Sequence, residues 1–223
     1  GLRYLDCVSG ACVYDLKEKK TLYSQALDPG IVKKLMEFAL EEEAMIHVLS
    51  ERSIVQRDQQ SHMADFHMGI YQTMFDKITD KLENIYNSFC QEPFPVLKLN
   101  LYHKDEYSRA RTVERIKAAG LETALALAES TSLECSAKGI DKGVGLKKLC
   151  EHLGLPLEQT IAVGDADNDT MALKTAGLSI AMGNATEPIK ALADVIVADC
   201  DHNGCAEAID KYLLAENRPQ KPV

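Results

Sequence analysis

Residues 160–173 read TIAVGDADNDTMAL and carry the strongest structural signal of the chain. Five uncharged residues, Thr160 to Gly164, are followed by three aspartates and one asparagine within the next five positions. Neighbouring carboxylates repel one another, so a cluster this dense is favourable where a cation lies among them. The alternative is a solvated loop, because Asp and Asn are common turn residues.

The surrounding sequence alternates helices with short apolar strands from Lys138 onward. Amphipathic helices are predicted around DKGVGLKKLCEHLGL, NDTMALKTAG, TEPIKALAD and GCAEAIDKYLL, with the strands TIAVG, LSIAMG and VIVA between them. Strands that are apolar almost throughout are typical of a parallel sheet covered on both faces. This half of the chain therefore predicts a parallel α/β domain.

The N-terminal ~130 residues follow a different pattern, with hairpin-like strands separated by helices. Two short strands are predicted around Ser9-Gly10, and a helix is predicted to begin at Asp28-Pro29, where Asp caps and Pro occupies the first helical position. LETALALAES and TSLECSA are predicted as a strand pair. The change of pattern indicates two domains with a boundary near Lys138.

The amino-acid composition limits which classes of binding partner are expected and in which cellular compartment the protein is expected. The formal net charge of -9 argues against non-specific binding to nucleic acid or to an anionic membrane. The sequence contains no apolar run of ~18 residues and no N-terminal signal-peptide pattern. Its seven cysteines are scattered without zinc-site spacing, which favours a reducing, cytoplasmic setting.

The acidic stretch follows a predicted strand of the parallel sheet, where ligands of such sheets bind. Carboxylate oxygens at a strand end suit Mg²⁺, which keeps waters and substrate phosphate as its other ligands. Lys142 opens the preceding helix and is predicted to reach the same edge. A lysine taken alone is more often solvated, but beside an acidic cluster it is a candidate phosphate ligand that also neutralises the carboxylates. Asp169 and Asn184 also have a purely structural alternative, as helix caps.

These segments resemble the haloacid dehalogenase superfamily, and within it the Cof-like phosphatases with a large cap (type IIB). The resemblance runs continuously from about Ser136 to Leu214, through GIDKGVGLKKLCEHLGL, IAVGDADNDTMAL, AMGNATEPIKALADVIV and HNGCAEAIDKYL. It implies a Mg²⁺-dependent phosphatase of small phosphorylated metabolites. In that family's arrangement, Lys142 is the catalytic lysine that holds the phosphoryl group and the nucleophile. The metal ligands are Asp165 and, in support, Asp169, while Asn168 and Asn184 contact the substrate.

The family's nucleophile motif is absent from this sequence. No D-x-D-G occurs, and in the nearest imitation, LDCVSGA, Val8 stands where the second aspartate belongs. Ser9-Gly10 matches instead the family's segment just before the cap domain. The resemblance therefore implies a partial doubly wound, Rossmann-like parallel-sheet core and an α/β cap, divided into a core remnant (1–10), the cap (11–137), the C-terminal part of the core (138–215) and a disordered tail (216–223).

Without a nucleophile, the chain is expected to be inactive alone. The strand at 160–164 is expected to have an unpaired edge, which is completed by a homodimer partner or by a separate N-terminal segment, unless the remaining strands close up and rearrange. Two other functions stay open at this point. One is a non-catalytic phosphate- and metal-binding regulatory homologue. The other is a receiver domain of the response-regulator type, against which the long sequence before the acidic stretch argues.

Overall fold

The computed structural model describes residues 2–215 as an α/β protein, which confirms the predicted fold class. In chain order its strands are β1 (Tyr4–Cys7), β2 (Cys12–Asp15), β3 (Lys20–Ser24), β4 (Met45–Leu49), β5 (Ser53–Gln56), β6 (Asp80–Leu82), β7 (Lys98–Tyr102), β8 (Thr123–Ala128), β9 (Ser132–Ala137), β10 (Ile161–Gly164), β11 (Leu178–Ala181) and β12 (Val195–Ile196). Its α-helices are α1 (Pro29–Glu41), α2 (Arg57–Gln60), α3 (Gln72–Ile78), α4 (Ile85–Gln91), α5 (Glu106–Ala118), α6 (Lys142–Leu153), α7 (Thr170–Thr175), α8 (Glu187–Leu192) and α9 (Gly204–Ala208). The predicted disordered tail, 216–223, lies outside the described residues.

The chain forms two compact units. The first combines the residues up to Tyr23 with those from Ile140 onward, and the second is Ser24–Gly139. Residues 11–23 therefore belong to the first unit, whereas the sequence analysis assigned them to the cap. The physical reason is strand pairing, because β1, β2 and β3 form one three-stranded sheet in that order, β1 and β2 pair antiparallel, and α6 packs against both of them.

The second sheet of the first unit is parallel, with the order β10-β11-β12. Its central strand β11 is buried throughout, and Ile180 is fully buried in an apolar cluster with Leu178 and Met182. Among residues 2–215, β10 pairs on one side only, and Val163 on it is 40% exposed. This is the edge position that the sequence predicts for the strand that leads into the acidic stretch.

The second unit is built on one six-stranded sheet with the order β6-β5-β4-β7-β9-β8. One core cluster joins α1, α4 and α5 to this sheet through side chains such as Leu35, Phe89 and Leu99. A smaller cluster around Met63 and Phe75 packs the segment that includes α3 against β4, β5 and β7. Asp28 caps α1 as predicted, since its carboxylate accepts from the N–H groups of Gly30 and Ile31. Across the described chain, every helix is too short or too polar to cross a bilayer.

Candidate functional site

The acidic stretch follows the end of β10 and leads into α7. Asp165 comes directly after the last strand residue, Gly164, and Asp169 closes a short 3-10 turn, Asp167–Asp169, before the helix begins. A Cβ on Gly164 would lie 2.5 Å from the Cβ of Asp169. The bare glycine therefore lets the Asp169 side chain fold back onto the strand end, because any side chain at 164 would occupy that space.

Lys142 reaches this strand end from α6, of which it is the first residue. Asp141 caps the helix by accepting from the N–H groups of Gly143 and Val144, at 2.9 and 3.0 Å. A Cβ on Gly143 would lie 2.5 Å from the Met171 carbonyl oxygen of α7. The glycine thus permits close packing of α6 on α7, which brings the lysine to the acidic turn.

The ammonium of Lys142 donates to the Oδ1 of Asp169 over 2.5 Å. The other oxygen, Oδ2, accepts from the backbone N–H groups of Asp165 (3.0 Å) and Ala166 (3.3 Å). Burial acts to raise the pKa of Asp169, but the Lys142 hydrogen bond, the two backbone hydrogen bonds and the lysine charge outweigh it and hold the pKa below its usual value. Both oxygens of Asp169 are therefore engaged within the protein, and the carboxylate positions the lysine.

Asp165 is exposed and is oriented by a single side chain. Its Oδ2 accepts from the amide of Asn184 over 3.1 Å, and the Asn184 Oδ1 in turn accepts from the Cys200 N–H over 3.0 Å. The backbone carbonyl of Asp165 also accepts from the N–H of Thr186. Asn184 thus connects the ends of β10 and β11, and within residues 2–215 the Asp165 Oδ1 is left without a hydrogen-bond partner.

The structure brings together four of the five side chains that the sequence predicts for the site. Lys142 and Asp169 form one contact, and Asp165 and Asn184 form another. The fifth, Asn168, lies in the same 3-10 turn, is exposed and makes no side-chain hydrogen bond within the described part of the chain. Its amide is therefore available to a ligand at this edge.

Asp6 of β1 is a further charged neighbour of Lys142. Although the residue as a whole is exposed, its carboxylate faces α6, where a Cβ on Gly145 would lie 2.0 Å from Oδ1. Desolvation of this carboxylate raises its pKa to about 6, the Lys142 charge acts in the opposite direction, and the Asp141 charge raises it further. In the sequence, Asp6 stands out only as part of an incomplete motif, since its proximity to the lysine depends on how β1 packs against α6.

Replacing Asp6 with asparagine is expected to stabilise the protein at high pH only. Because the folded pKa (about 6) exceeds the ordinary value of 3.8, the contribution of Asp6 to stability is complete below pH 3.8 and is lost as the pH rises through about 6. Urea unfolding of D6N and wild type should therefore agree near pH 3.5 and diverge in favour of D6N by pH 8. The exposed Asp201 supplies the control variant D201N, and an equal gain from D6N at both pH values would contradict the assignment.

The donor set at this edge can accept a hard divalent cation through one carboxylate. Asp165 offers an unpaired oxygen to solvent, whereas Asp169 is already occupied by the lysine and backbone amides. No cluster of three or more His, Cys, Asp or Glu residues is arranged to hold a metal within residues 2–215. Mg²⁺ is commonly bound through one or two carboxylates together with waters and substrate phosphate, so these residues fit it in that form.

Comparison with known proteins connects this arrangement to one enzyme family. A family model described as haloacid dehalogenase-like hydrolase matches residues 2–209. Among curated proteins, the chain is 45% identical over 83 residues to the phosphatase YwpJ of Bacillus subtilis, a match that covers 37% of this chain and 29% of that relative. The matched segment is thus less than a third of the length of YwpJ.

Solved structures resemble nearly the whole chain. A haloacid dehalogenase-like hydrolase from Bacteroides thetaiotaomicron superposes with a TM-score of 0.77 and 25% identity, over 93% of this chain and 75% of that one. A sugar phosphatase of HAD subclass IIB superposes with a TM-score of 0.76 and 20% identity, over 94% and 75% of the two chains. At that identity the second likeness shows the fold, and it is the type IIB fold that the sequence predicts.

Proposed function

The chain belongs to the haloacid dehalogenase-like hydrolases, and from this premise we propose that its site binds the phosphoryl group of a small phosphorylated metabolite beside Mg²⁺. The observation that carries the proposal is the Lys142–Asp169 ion pair at the end of β10, next to the unpaired oxygen of Asp165. A cation at a strand end, held in place by a partly buried carboxylate, is suited to bind an anion there.

Each side chain then has a separate task. Lys142 donates to the phosphoryl oxygens, while Asp169 fixes the position of its ammonium. Asp165 holds the metal, with its own orientation set by the amide of Asn184, and Asn168 donates to the phosphate from the 3-10 turn that follows. When bound, Mg²⁺ supplies positive charge that offsets the repulsion between the phosphate and the carboxylates.

Relatives of this chain are phosphatases by name, and we propose hydrolysis of phosphomonoesters as the activity of the whole protein to which these residues contribute. Family chemistry requires an aspartate nucleophile, which is lacking between residues 1 and 223 because they contain no D-x-D-G. We therefore propose that this chain by itself binds phosphate without turning substrate over.

A Mg²⁺-dependent assay with p-nitrophenyl phosphate tests this proposal. The chain alone is expected to show no metal-dependent hydrolysis, while equilibrium binding of inorganic phosphate or vanadate in the presence of Mg²⁺ is retained. Turnover that is lost in K142A would contradict the proposed inactivity. A complete lack of anion binding would contradict the proposed site.

The second candidate function is a non-catalytic regulatory protein that senses phosphate and metal. The specific observation in its favour is that residues 1–223 contain no D-x-D-G, while the Lys142–Asp169 ion pair and the exposed Asp165 carboxylate, which can bind phosphate and metal, are present. Anion binding by the longest natural form without any hydrolysis would favour this candidate over the phosphatase.

Mg²⁺ alone is expected to bind more weakly than the micromolar range, because Asp165 is the one carboxylate with an unpaired oxygen at this edge among the described residues. Calorimetric titration of wild type and D165N measures this affinity, and D201N is the control for general charge effects. A micromolar or tighter site that D165N abolishes would show that further ligands complete it.

Replacing Lys142 with alanine is expected to weaken phosphate or vanadate binding by about tenfold or more in the presence of Mg²⁺, the amount that corresponds to a charged hydrogen bond. Lys148 lies on the same helix and pairs with Glu151 on the surface, so K148A is the matched control and should bind like wild type. Equal anion affinity in K142A and K148A would refute the role assigned to Lys142.

A further inference from the structure

Two cysteines face each other at the end of the first hairpin, apart from the phosphate site. Cys7 is the last residue of β1 and Cys12 the first of β2, and the strand register places them directly opposite one another. Opposed residues in an antiparallel pair have Cα atoms about 4.5 to 5.5 Å apart, and disulfides join Cα atoms about 4.4 to 6.8 Å apart. The backbone is therefore already suited to a bridge.

The side chains are accessible as well, because both residues are half-buried and so remain within reach of a small reagent. Burial is the main cause that raises the pKa of both thiols, and the interaction between the two thiols lowers the pKa of Cys7 and raises that of Cys12. This interaction favours Cys7 as the thiolate and hence as the first sulfur to attack.

We propose that Cys7 and Cys12 form a dithiol pair that is oxidised to a disulfide by exchange with a low-molecular-weight disulfide. The Cys7 thiolate attacks one sulfur of the reagent, breaks its S–S bond and releases one thiol, which leaves a mixed disulfide on the protein. The Cys12 thiol loses its proton and attacks the Cys7 sulfur, which releases the second thiol. The protein loses two hydrogen atoms, and the reagent disulfide is reduced to two thiols.

A disulfide between Cys7 and Cys12 would enclose residues 8–11, the turn that packs against the start of α6. Val8, Ser9 and Gly10 all have positive φ, at 54, 55 and 91°. Gly10 lies so close to the start of α6 that a Cβ on it would be 1.8 Å from the Asp141 carbonyl oxygen. Oxidation therefore restrains a turn that contacts the cap of the helix bearing Lys142, while the pairing itself does not depend on the proposed function.

Peptide mapping of the full chain tests the pairing directly. Trypsin cuts after Arg3 and Lys17, so peptide 4–17 contains Cys7 and Cys12 and no other cysteine. After incubation with oxidised glutathione at mildly alkaline pH and blocking of the remaining thiols, this peptide is expected to lack two hydrogen masses and to carry neither glutathione nor the blocking group. Dithiothreitol should restore both thiols.

The chain supplies its own matched comparison. Cys200 and Cys205 have the same separation in sequence, are both exposed and share tryptic peptide 191–211, but they are not opposed across two strands. Peptide 4–17 is expected to bridge faster and at a lower ratio of oxidised to reduced glutathione than peptide 191–211. Equal behaviour of the two peptides would show that sequence spacing rather than strand opposition controls the reaction, and would overturn the proposal.

Serine variants complete the test. C7S and C12S should each leave a single cysteine in peptide 4–17 that retains glutathione, because no second thiol is present to displace it. Hydrogen exchange of the turn amides should slow on oxidation of wild type and remain unchanged in C7S. Retention of glutathione on both cysteines of wild type, or persistence of both as free thiols while Cys90 is modified, would refute the pair.

Discussion

Replacing Gly10 with alanine is expected to destabilise the first unit by about 3 to 5 kcal/mol, the range of the more damaging single substitutions. Two costs combine at this position. The backbone has φ +91°, a conformation that residues with a side chain rarely adopt. The new Cβ would also lie 1.8 Å from the Asp141 carbonyl oxygen and 2.4 Å from the Asp141 carbonyl carbon. The obstructing atoms belong to backbone, so neither can rotate away, and the turn or the start of α6 has to move.

Gly154 provides the matched control at the other end of the same helix. Its φ is +64°, and a Cβ placed on it meets no atom within 4 Å. G154A therefore has the left-handed backbone strain alone and should cost about 1 kcal/mol. Urea unfolding of G10A, G154A and wild type separates the backbone strain from the steric overlap. Similar losses of unfolding free energy in the two variants would show that the turn does not pack against Asp141.

The elements around the site were predictable because their signals are local. In the sequence, the strand at 160–164 is visible as a short apolar run. The start of α6 is marked by Asp141, which is followed by an amphipathic pattern. Since parallel strands end at one edge of a sheet, Asp165 and Asn184 were expected near each other, and the amide-to-carboxylate hydrogen bond between them agrees.

The hydrogen-bond partners of individual carboxylate oxygens were not predictable, because they depend on contacts between segments that are distant in sequence. The resemblance implies Asp165 as a metal ligand with Asp169 in support, whereas in the structure both oxygens of Asp169 are engaged by Lys142 and by backbone N–H groups. The proximity of Asp6 to Lys142 has the same origin, since the two residues are 136 positions apart in the sequence.

Closely packed glycines carry information that periodicity does not reveal. Gly143, Gly145 and Gly164 all lie where a Cβ would overlap a neighbouring segment, and each overlap occurs around Lys142 or Asp169. In the sequence these residues read only as weak helix or strand formers. The position of residues 11–23 in the first unit was not predictable for a related reason, because pairing of β2 with β1 is decided by tertiary structure rather than by local composition.

Acidification from pH 6.5 to 4 is expected to remove about 3 kcal/mol of stability from the second unit through one buried histidine, His47 of β4. Its ring packs against those of Phe75 and Tyr102, with centroid distances of 4.9 and 6.2 Å, and its nitrogens contact the hydroxyl groups of Ser53 (2.8 Å) and Tyr102 (3.3 Å). Burial first, and then the charge of Lys98, lowers its pKa from 6.5 to about 4.

The direction of this change in stability depends on whether the folded or the unfolded state binds the His47 proton more tightly. The unfolded chain takes up a proton on His47 near pH 6.5, and the folded protein does so only near pH 4. The stabilisation is therefore complete above pH 6.5 and is lost as the pH falls through about 4.

In H47Q, which has no imidazole to take up a proton, the free energy of unfolding should fall less steeply between pH 6.5 and 4. The exposed His62 supplies the control variant H62Q, which should retain the wild-type slope. Proton NMR of the ring measures the same quantity directly, and a His47 resonance that titrates near 6.5 in the folded protein would refute the prediction.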